Sequence, residues 1–385
     1  MSRAVTADHV LFDECIDTFR PQHAGYAPFV EGKSCSYLLT SFELPDTWQL
    51  PHCIVHPSVR VQLPGAFSAF VCRIDNPDWV GRRNSHLYGI ALASIFSFAT
   101  ARLCKSTRDD YLCRYQELTA RDLLELALLH PVLVAGPGYV HFSLSRVKRN
   151  EHKEAICSLI TRLHSVSYKT YLVLMQAIRL VHLSLLNKRD DFGLAYLLIV
   201  SAIESVAQQA VKRNSVRKTH PSEQAWDMKA SQDQGLAELL AAYRQIRGQN
   251  QYLQERYIEF IRTFAPVETW EEIASHPLQD LADYVKELNP SHDMEHAVRK
   301  HWYERYPADL SAGEIQEILS DSYTHRSCFI HRGEQPPHRE PTSFNRFFQQ
   351  FREYDGVKLT ERLLPNYELL VGIAQRSIYR WAESK

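Results

Sequence analysis

Hydrophobic and polar positions follow two different rhythms along this chain. Up to about residue 140 the apolar residues come in short runs rich in aromatic and β-branched side chains, at residues 36–42, 58–62 and 66–74, punctuated by proline and glycine. Runs of that length and composition predict strands. Between residues 84 and 103 the rhythm changes: Leu87, Ile90, Ala91, Ile95, Phe98 and Ala99 recur at helical spacing, so one helix is expected to interrupt the strands. Gly136-Pro137-Gly138 reads as a turn before a strand-like stretch at 139–144.

From about Val147 the pattern becomes long helical periodicity with few glycines and prolines. It predicts helices over residues 149–165, 167–187, 191–213, 234–246, 249–264, 311–332 and 358–383, with a polar loop at 214–235 that contains His220-Pro221. Ser311 and Glu314 form a capping box at the start of the sixth of these helices. Gly333, followed by Pro336 and Pro337, marks its end. The expected fold is α+β: a mixed α/β N-terminal domain over residues 1–146, then an all-α bundle over residues 147–385. No internal repeat is visible.

Composition narrows the function classes. A chain of 385 residues with 45% hydrophobic and 11% aromatic content has enough apolar surface for a sizeable core, which excludes global disorder. Lysine plus arginine at 44 against aspartate plus glutamate at 45 gives no bulk attraction for nucleic acid, so any RNA-binding charge must be local. The eight cysteines include no C-x-x-C pair and no tight framework of the small secreted type, and Asp8 and His9 stand where a signal peptide would carry its apolar core. The two greasiest stretches, 171–186 and 192–211, are interrupted by Gln176, Arg179 and His182 and by Glu204, Gln208 and Gln209. These features predict a cytoplasmic protein without a membrane span.

One local pattern proposes chemistry. The run from Tyr323 to Glu334, YTHRSCFIHRGE, holds Arg326 and His331 with four residues between them. Counting about 100° per residue from Ile315, Leu319, Ser322, Arg326 and Phe329 fall within roughly 40° of one direction. Arg326 therefore sits in the middle of an apolar arc, and a guanidinium there needs a carboxylate or a bound anion. Glu204, the only charged residue between Phe192 and Val211, is the natural partner. His331 falls about 160° from Ile315, nearly opposite Arg326. At that position it suits either a helix C-terminal cap or a group that exchanges a proton near its ordinary pKa of ~6.5.

The R-x4-H pattern, the HRGE ending and the upstream apolar helix carrying Ile203-Glu204 resemble the HEPN superfamily, in particular its ApeA-like branch from bacterial defence proteins. The resemblance implies an all-α HEPN-type bundle acting as a metal-independent endoribonuclease. A ribose 2′-hydroxyl would attack the adjacent phosphorus, with His331 as general acid or base, Arg326 stabilising phosphoryl charge and Glu204 orienting Arg326. Tyr323, Ser327 and Arg332 would support the site. Ser327 departs from the asparagine that commonly follows the arginine in the family. The resemblance further implies RNA as substrate, a homodimer that brings two motif helices together, no cofactor or metal, and a role in anti-phage defence or a toxin-like system. The N-terminal domain would then act as a sensor or regulator, answering a regulatory protein or a phage-derived trigger. The alternative within the same family is a non-catalytic scaffold that binds a partner.

Other constellations are looser. His325, Arg332, His338, Arg339 and Arg346 around the motif, with Lys212, Arg213, Arg217 and Lys218 after the Glu204 helix, could supply a local basic rim for a phosphate backbone. His292 and His296 lie one helical turn apart, but Asp293 stands where H-E-x-x-H would need glutamate, and the segment reads better as an acidic helix start. His52, Cys53 and His56 form a weaker cluster. Phosphate-binding glycine loops and a Gly-x-Ser-x-Gly elbow are absent from the sequence.

Overall fold

The computed structural model describes residues 8–21, 34–62, 68–107, 118–133, 143–216, 219–249, 251–273, 276, 278–292, 294–299, 306–334, 347–354 and 358–385. The chain is an α+β protein: an antiparallel sheet with its helices comes first, and a mostly helical part follows. The first elements are α1 (Asp8–Phe19), β1 (Cys35–Thr40), β2 (Trp48–Leu50), β3 (Cys53–Val55), β4 (Val59–Gln62), β5 (Ser68–Asp75), α2 (Ser85–Thr100), β6 (Cys104–Ser106) and α3 (Ala120–Leu129). The strands run β2-β3-β5-β1-β6, with β4 also paired to β5. The β1–β5 register sets Leu38 opposite Cys72 and Leu39 opposite Val71. Every residue of β1 is buried, because α2 covers one face of the sheet and α3 lies over the other.

The expected strands are present, and the α2 helix falls where its periodicity placed it. The helices α1 and α3 were not expected from the strand-like texture of this part. In α1 propensity is modest and burial decides, with Phe12, Cys15, Ile16 and Phe19 in the main core; α3 carries its own local signal, a run of strong helix formers behind a Thr119–Asp122 capping box, and buries Leu126 and Ala127 against the sheet. The Gly136-Pro137-Gly138 turn and the strand expected from 139 fall on residues outside the described ones, except that Ser143 and Leu144 lie in coil. Gly89 allows α2 to approach closely, since a Cβ there would stand 2.5 Å from Ser106 Oγ and 3.0 Å from Ser36 Cβ.

The helical part contains α4 (Arg146–Ser165), α5 (Tyr168–Asn187), α6 (Phe192–Ala210), α7 (Arg213–Val216), α8 (Glu223–Ala230), α9 (Gln234–Gln249), α10 (Leu253–Phe264), α11 (Trp270–Ile273), α12 (Gln279–Leu288), α13 (Glu295–Val298), α14 (Ala312–Arg332), the hairpin β7 (Phe347–Tyr354) and β8 (Lys358–Pro365), and α15 (Tyr367–Glu383). Two expectations change here. The last helix starts at Tyr367, capped by Asn366, because residues 358–365 pair with β7 as a strand. The polar loop at 214–235 contains α8, which is held to α9 by ion pairs rather than by an apolar stripe. A single cluster of buried apolar residues runs from Phe12 and Phe96 through Ile178 and Ile203 to Ile378.

The three polar residues that interrupt α5 have structural partners. Gln176 donates to Asp13 at 3.3 Å, and the Arg179 guanidinium lies 4.7 Å from the Phe12 ring centre. His182 Nε2 donates to the Cys104 carbonyl at 2.9 Å, which leaves Nδ1 to accept from Ser94 at 2.8 Å. Helices α5 and α6 are long and apolar enough to cross a membrane by length and composition, and both carry much of the buried core.

Candidate active site

The site forms where α6, α10 and α14 meet. Helix α14 begins as its sequence dictates: Ser311 Oγ accepts from the Glu314 backbone amide at 3.3 Å, and the Glu314 carboxylate accepts from the Ser311 amide at 2.9 Å. It ends at Gly333, whose φ of 68° is the left-handed conformation that glycine adopts without cost. Ile315, Ile318, Leu319, Ser322 and Tyr323 are buried on its inner face.

That inner face delivers Arg326 to Glu204. A terminal guanidinium nitrogen of Arg326 stands 3.1 Å from Glu204 Oε2, with side-chain exposures of 22% and 6% respectively. Glu204 Oε1 accepts from Gln208 Nε2 at 3.1 Å, one turn along α6. Among the described residues Glu204 Oε2 and Arg326 Nε make no well-aligned hydrogen bond. The contact is therefore a charge pair rather than a two-pronged fork, and the Arg326 side chain keeps one side open to solvent.

Tyr323 closes the site from the same helix. Its ring lies 5.7 Å from the Arg326 guanidinium carbon and 5.5 Å from the Tyr257 ring on α10. Burial, followed by the Glu204 charge and a hydrogen bond to that carboxylate, pushes the Tyr323 phenol up to about 12, so it stays protonated. Tyr257 hydroxyl pairs with Ser322 Oγ at 3.1 Å, Ser322 donates to the Leu319 carbonyl at 2.8 Å, and burial raises the Tyr257 phenol further. Arg256 on α10 donates to the Val211 carbonyl at 2.9 Å and to the Gln208 carbonyl, fixing the end of α6 that carries Glu204.

The structure brings Glu204, Arg326 and Tyr323 together. It does not bring His331 to them within one chain: His331 is exposed in the last turn of α14, where the helical count placed it. Ser327 is half-buried, whereas Arg332 is exposed and paired with Glu334 at 3.5 Å. Gln208, Tyr257 and Arg256 were missed by sequence reasoning. The four-residue spacing from Glu204 was a usable signal for Gln208, but nothing local distinguishes Tyr257 or Arg256.

The looser constellations come apart. His56 Nε2 meets Asp75 Oδ2 at 2.8 Å, His52 packs its ring 4.5 Å from that of His164, and Cys53 is buried with its thiol pushed up to about 11 by desolvation. His292 lies in the turn after α12 and His296 in α13, and among the described residues no three His, Cys, Asp or Glu side chains gather as metal ligands would. Of the basic rim, Lys212 is exposed, Arg213 donates to the Gly248 carbonyl at 2.9 Å, and Arg217, Lys218, His338, Arg339 and Arg346 lie outside the described residues. Compared with protein families, with curated proteins and with solved structures, the chain finds no match in any of the three.

Proposed function

We propose that this chain is a metal-independent endoribonuclease of the HEPN type, acting in the cytoplasm as a homodimer in anti-phage defence or a toxin-like system. The observation that carries the reading is the Glu204–Arg326 pair, which holds a partly exposed guanidinium on the helix whose last turn carries His331. Arg326 stabilises the negative charge that builds on the phosphoryl oxygens. His331 takes the proton from a ribose 2′-hydroxyl, whose oxygen attacks the adjacent phosphorus. The 5′-oxygen leaves with a proton from a second acid, and the products are a 2′,3′-cyclic phosphate and a 5′-hydroxyl. An exposed His331 suits a site completed across two copies, where the second histidine supplies that acid.

The test is cleavage of total RNA by the full chain in excess chelator, with product ends labelled directly by polynucleotide kinase. Wild type should give kinase-ready 5′-hydroxyl ends, and Arg326→Ala and His331→Ala should not. Equal cleavage by both variants would overturn the reading. The exposure of His331, away from the Glu204–Arg326 pair, favours one second reading, a non-catalytic HEPN scaffold. That scaffold predicts no chelator-resistant cleavage by wild type.

A further inference from the structure

Arg326 Nε is buried and has no hydrogen-bond acceptor among the described residues. Buried donors are nearly always satisfied, so this one needs a physical cause. An acceptor group is close at hand, because the Glu204 carboxylate stands 3.1 Å from a terminal nitrogen of the same guanidinium. In a side-on fork, Nε and one terminal nitrogen of an arginine take the two oxygens of one carboxylate. Here Oε2 is the oxygen that meets the guanidinium, and Oε1 instead accepts from Gln208 Nε2 at 3.1 Å.

Gln208 is placed to set that arrangement. It stands four residues after Glu204 on α6, the spacing at which two helical side chains meet. Its backbone is tied to α10: the Gln208 carbonyl accepts from Arg256, a buried residue whose Nε also donates to the Val211 carbonyl at 2.9 Å. Gln208 is itself exposed, and among the described residues its side chain makes no hydrogen bond other than the one to Glu204. The Tyr323 ring, 5.7 Å from the guanidinium carbon, flanks Arg326 as well, while part of the arginine side chain stays open to solvent.

We propose that Gln208 is a positioning residue. By taking Glu204 Oε1 it turns the carboxylate so that Arg326 is held by a single prong, with its guanidinium aimed outward at an anionic oxygen rather than lying side-on against α6. The unsatisfied Nε is the consequence of that pose. Without the Gln208 amide the carboxylate turns, both of its oxygens take the guanidinium, and the pair tightens while its outward aim is lost. The identity of the anion as a phosphodiester rests on the ribonuclease reading; the pose of Arg326 does not.

The test is Gln208→Met, which keeps the length of the side chain and removes the donor. A residue that only supported the fold would lower stability and activity together when replaced. Here the urea midpoint of Gln208→Met should equal or exceed that of wild type, and Arg326→Ala should lower the midpoint more in the Gln208→Met background than in wild type, because a two-pronged pair is then lost. In chelator-resistant cleavage of RNA by the full chain, Gln208→Met should lower kcat at least about tenfold with KM within about twofold, the pattern of a charge misplaced for the transition state. Gln209→Met, at the neighbouring exposed glutamine, should match wild type throughout. A lower midpoint in Gln208→Met, an equal or smaller effect of Arg326→Ala in that background, or an unchanged kcat overturns the proposal. Wild type that cuts no RNA in chelator removes the ribonuclease reading, and the two stability measurements then decide the pose of Arg326 by themselves. Cleavage by wild type with equal effects of Arg326→Ala in both backgrounds keeps that reading and removes the role of Gln208.

Discussion

Glu204 Oε2 on α6 lies 3.1 Å from the guanidinium of Arg326 on α14, and the 122 positions that separate the two residues are bridged by the packing of three helices. The carboxylate is almost wholly buried while the guanidinium keeps an open side. This asymmetry means that losing the arginine strands a buried charge, whereas losing the acid frees a cation that water can reach.

Arg326→Ala should therefore destabilise the fold by roughly 3 kcal/mol, the low end for breaking a buried ion pair because Arg326 retains solvent contact. Glu204→Gln should cost less, and a double Glu204→Leu, Arg326→Leu variant should recover much of the loss. Urea denaturation of the three variants checks the order. A single arginine variant as stable as wild type would show that the pair is not held in solution.

His331→Ala should leave stability within about 0.5 kcal/mol of wild type, as expected for an exposed position. Chelator-resistant RNA cleavage should fall by about 100-fold or more, the contribution of a proton-transfer group. Mixing the His331→Ala and Arg326→Ala proteins tests the two-copy site: partial recovery of cleavage is expected if residues from both chains complete it.

Stability should fall as the solution is acidified from pH 6.5. Burial holds the imidazole of His152 down to about 3 and, with the neighbouring charges of His52 and Arg20, that of His164 down to about 4. Both folded-state values lie below the ordinary 6.5, so the unfolded chain takes up protons first and folding weakens as pH drops through that window. The slope is at most about 1.4 kcal/mol per pH unit for each ring, and less for His164, which is only partly enclosed. Denaturation midpoints at pH 7 and pH 5 measure it, and His152→Leu should flatten the dependence.

Tyr323 should show the opposite dependence. Its phenol is raised to about 12, so the stability it confers is complete below pH 10 and is lost as pH rises from 10 toward 12. Ultraviolet difference titration should find one tyrosinate that disappears in Tyr323→Phe and titrates at lower pH in Glu204→Gln, because the carboxylate's charge is one cause of the shift.

Gly372→Ala should be destabilising by about 1–3 kcal/mol, since the added Cβ would fall 1.9 Å from Ile273 Cγ2 and force α15 away from α11. The same substitution at Gly313, where nothing lies within 4 Å, should be neutral or slightly stabilising. Thermal melts of the two variants separate close packing from helix propensity.

The sequence by itself determined the existence of the long helices and both ends of α14, because periodicity, the Ser311–Glu314 capping box and Gly333 are local signals. It also determined that Arg326 must have an anionic partner, since a charge on an apolar arc is a local contradiction, and Glu204 was legible as the matching contradiction on another helix. Tertiary structure decided the rest. The pairing of residues 358–365 with β7 overrode a helical expectation, because a strand depends on a partner that its own sequence does not contain. Burial made a helix of α1. Only the packing of α10 between α6 and α14 could bring Tyr257 and Arg256 around the pair, whereas Gln208, one turn from Glu204, and the outward position of His331 follow from helical spacing. Sequence states which residues need a partner; three-dimensional packing chooses it, because the contacts that satisfy a buried charge come from distant parts of the chain.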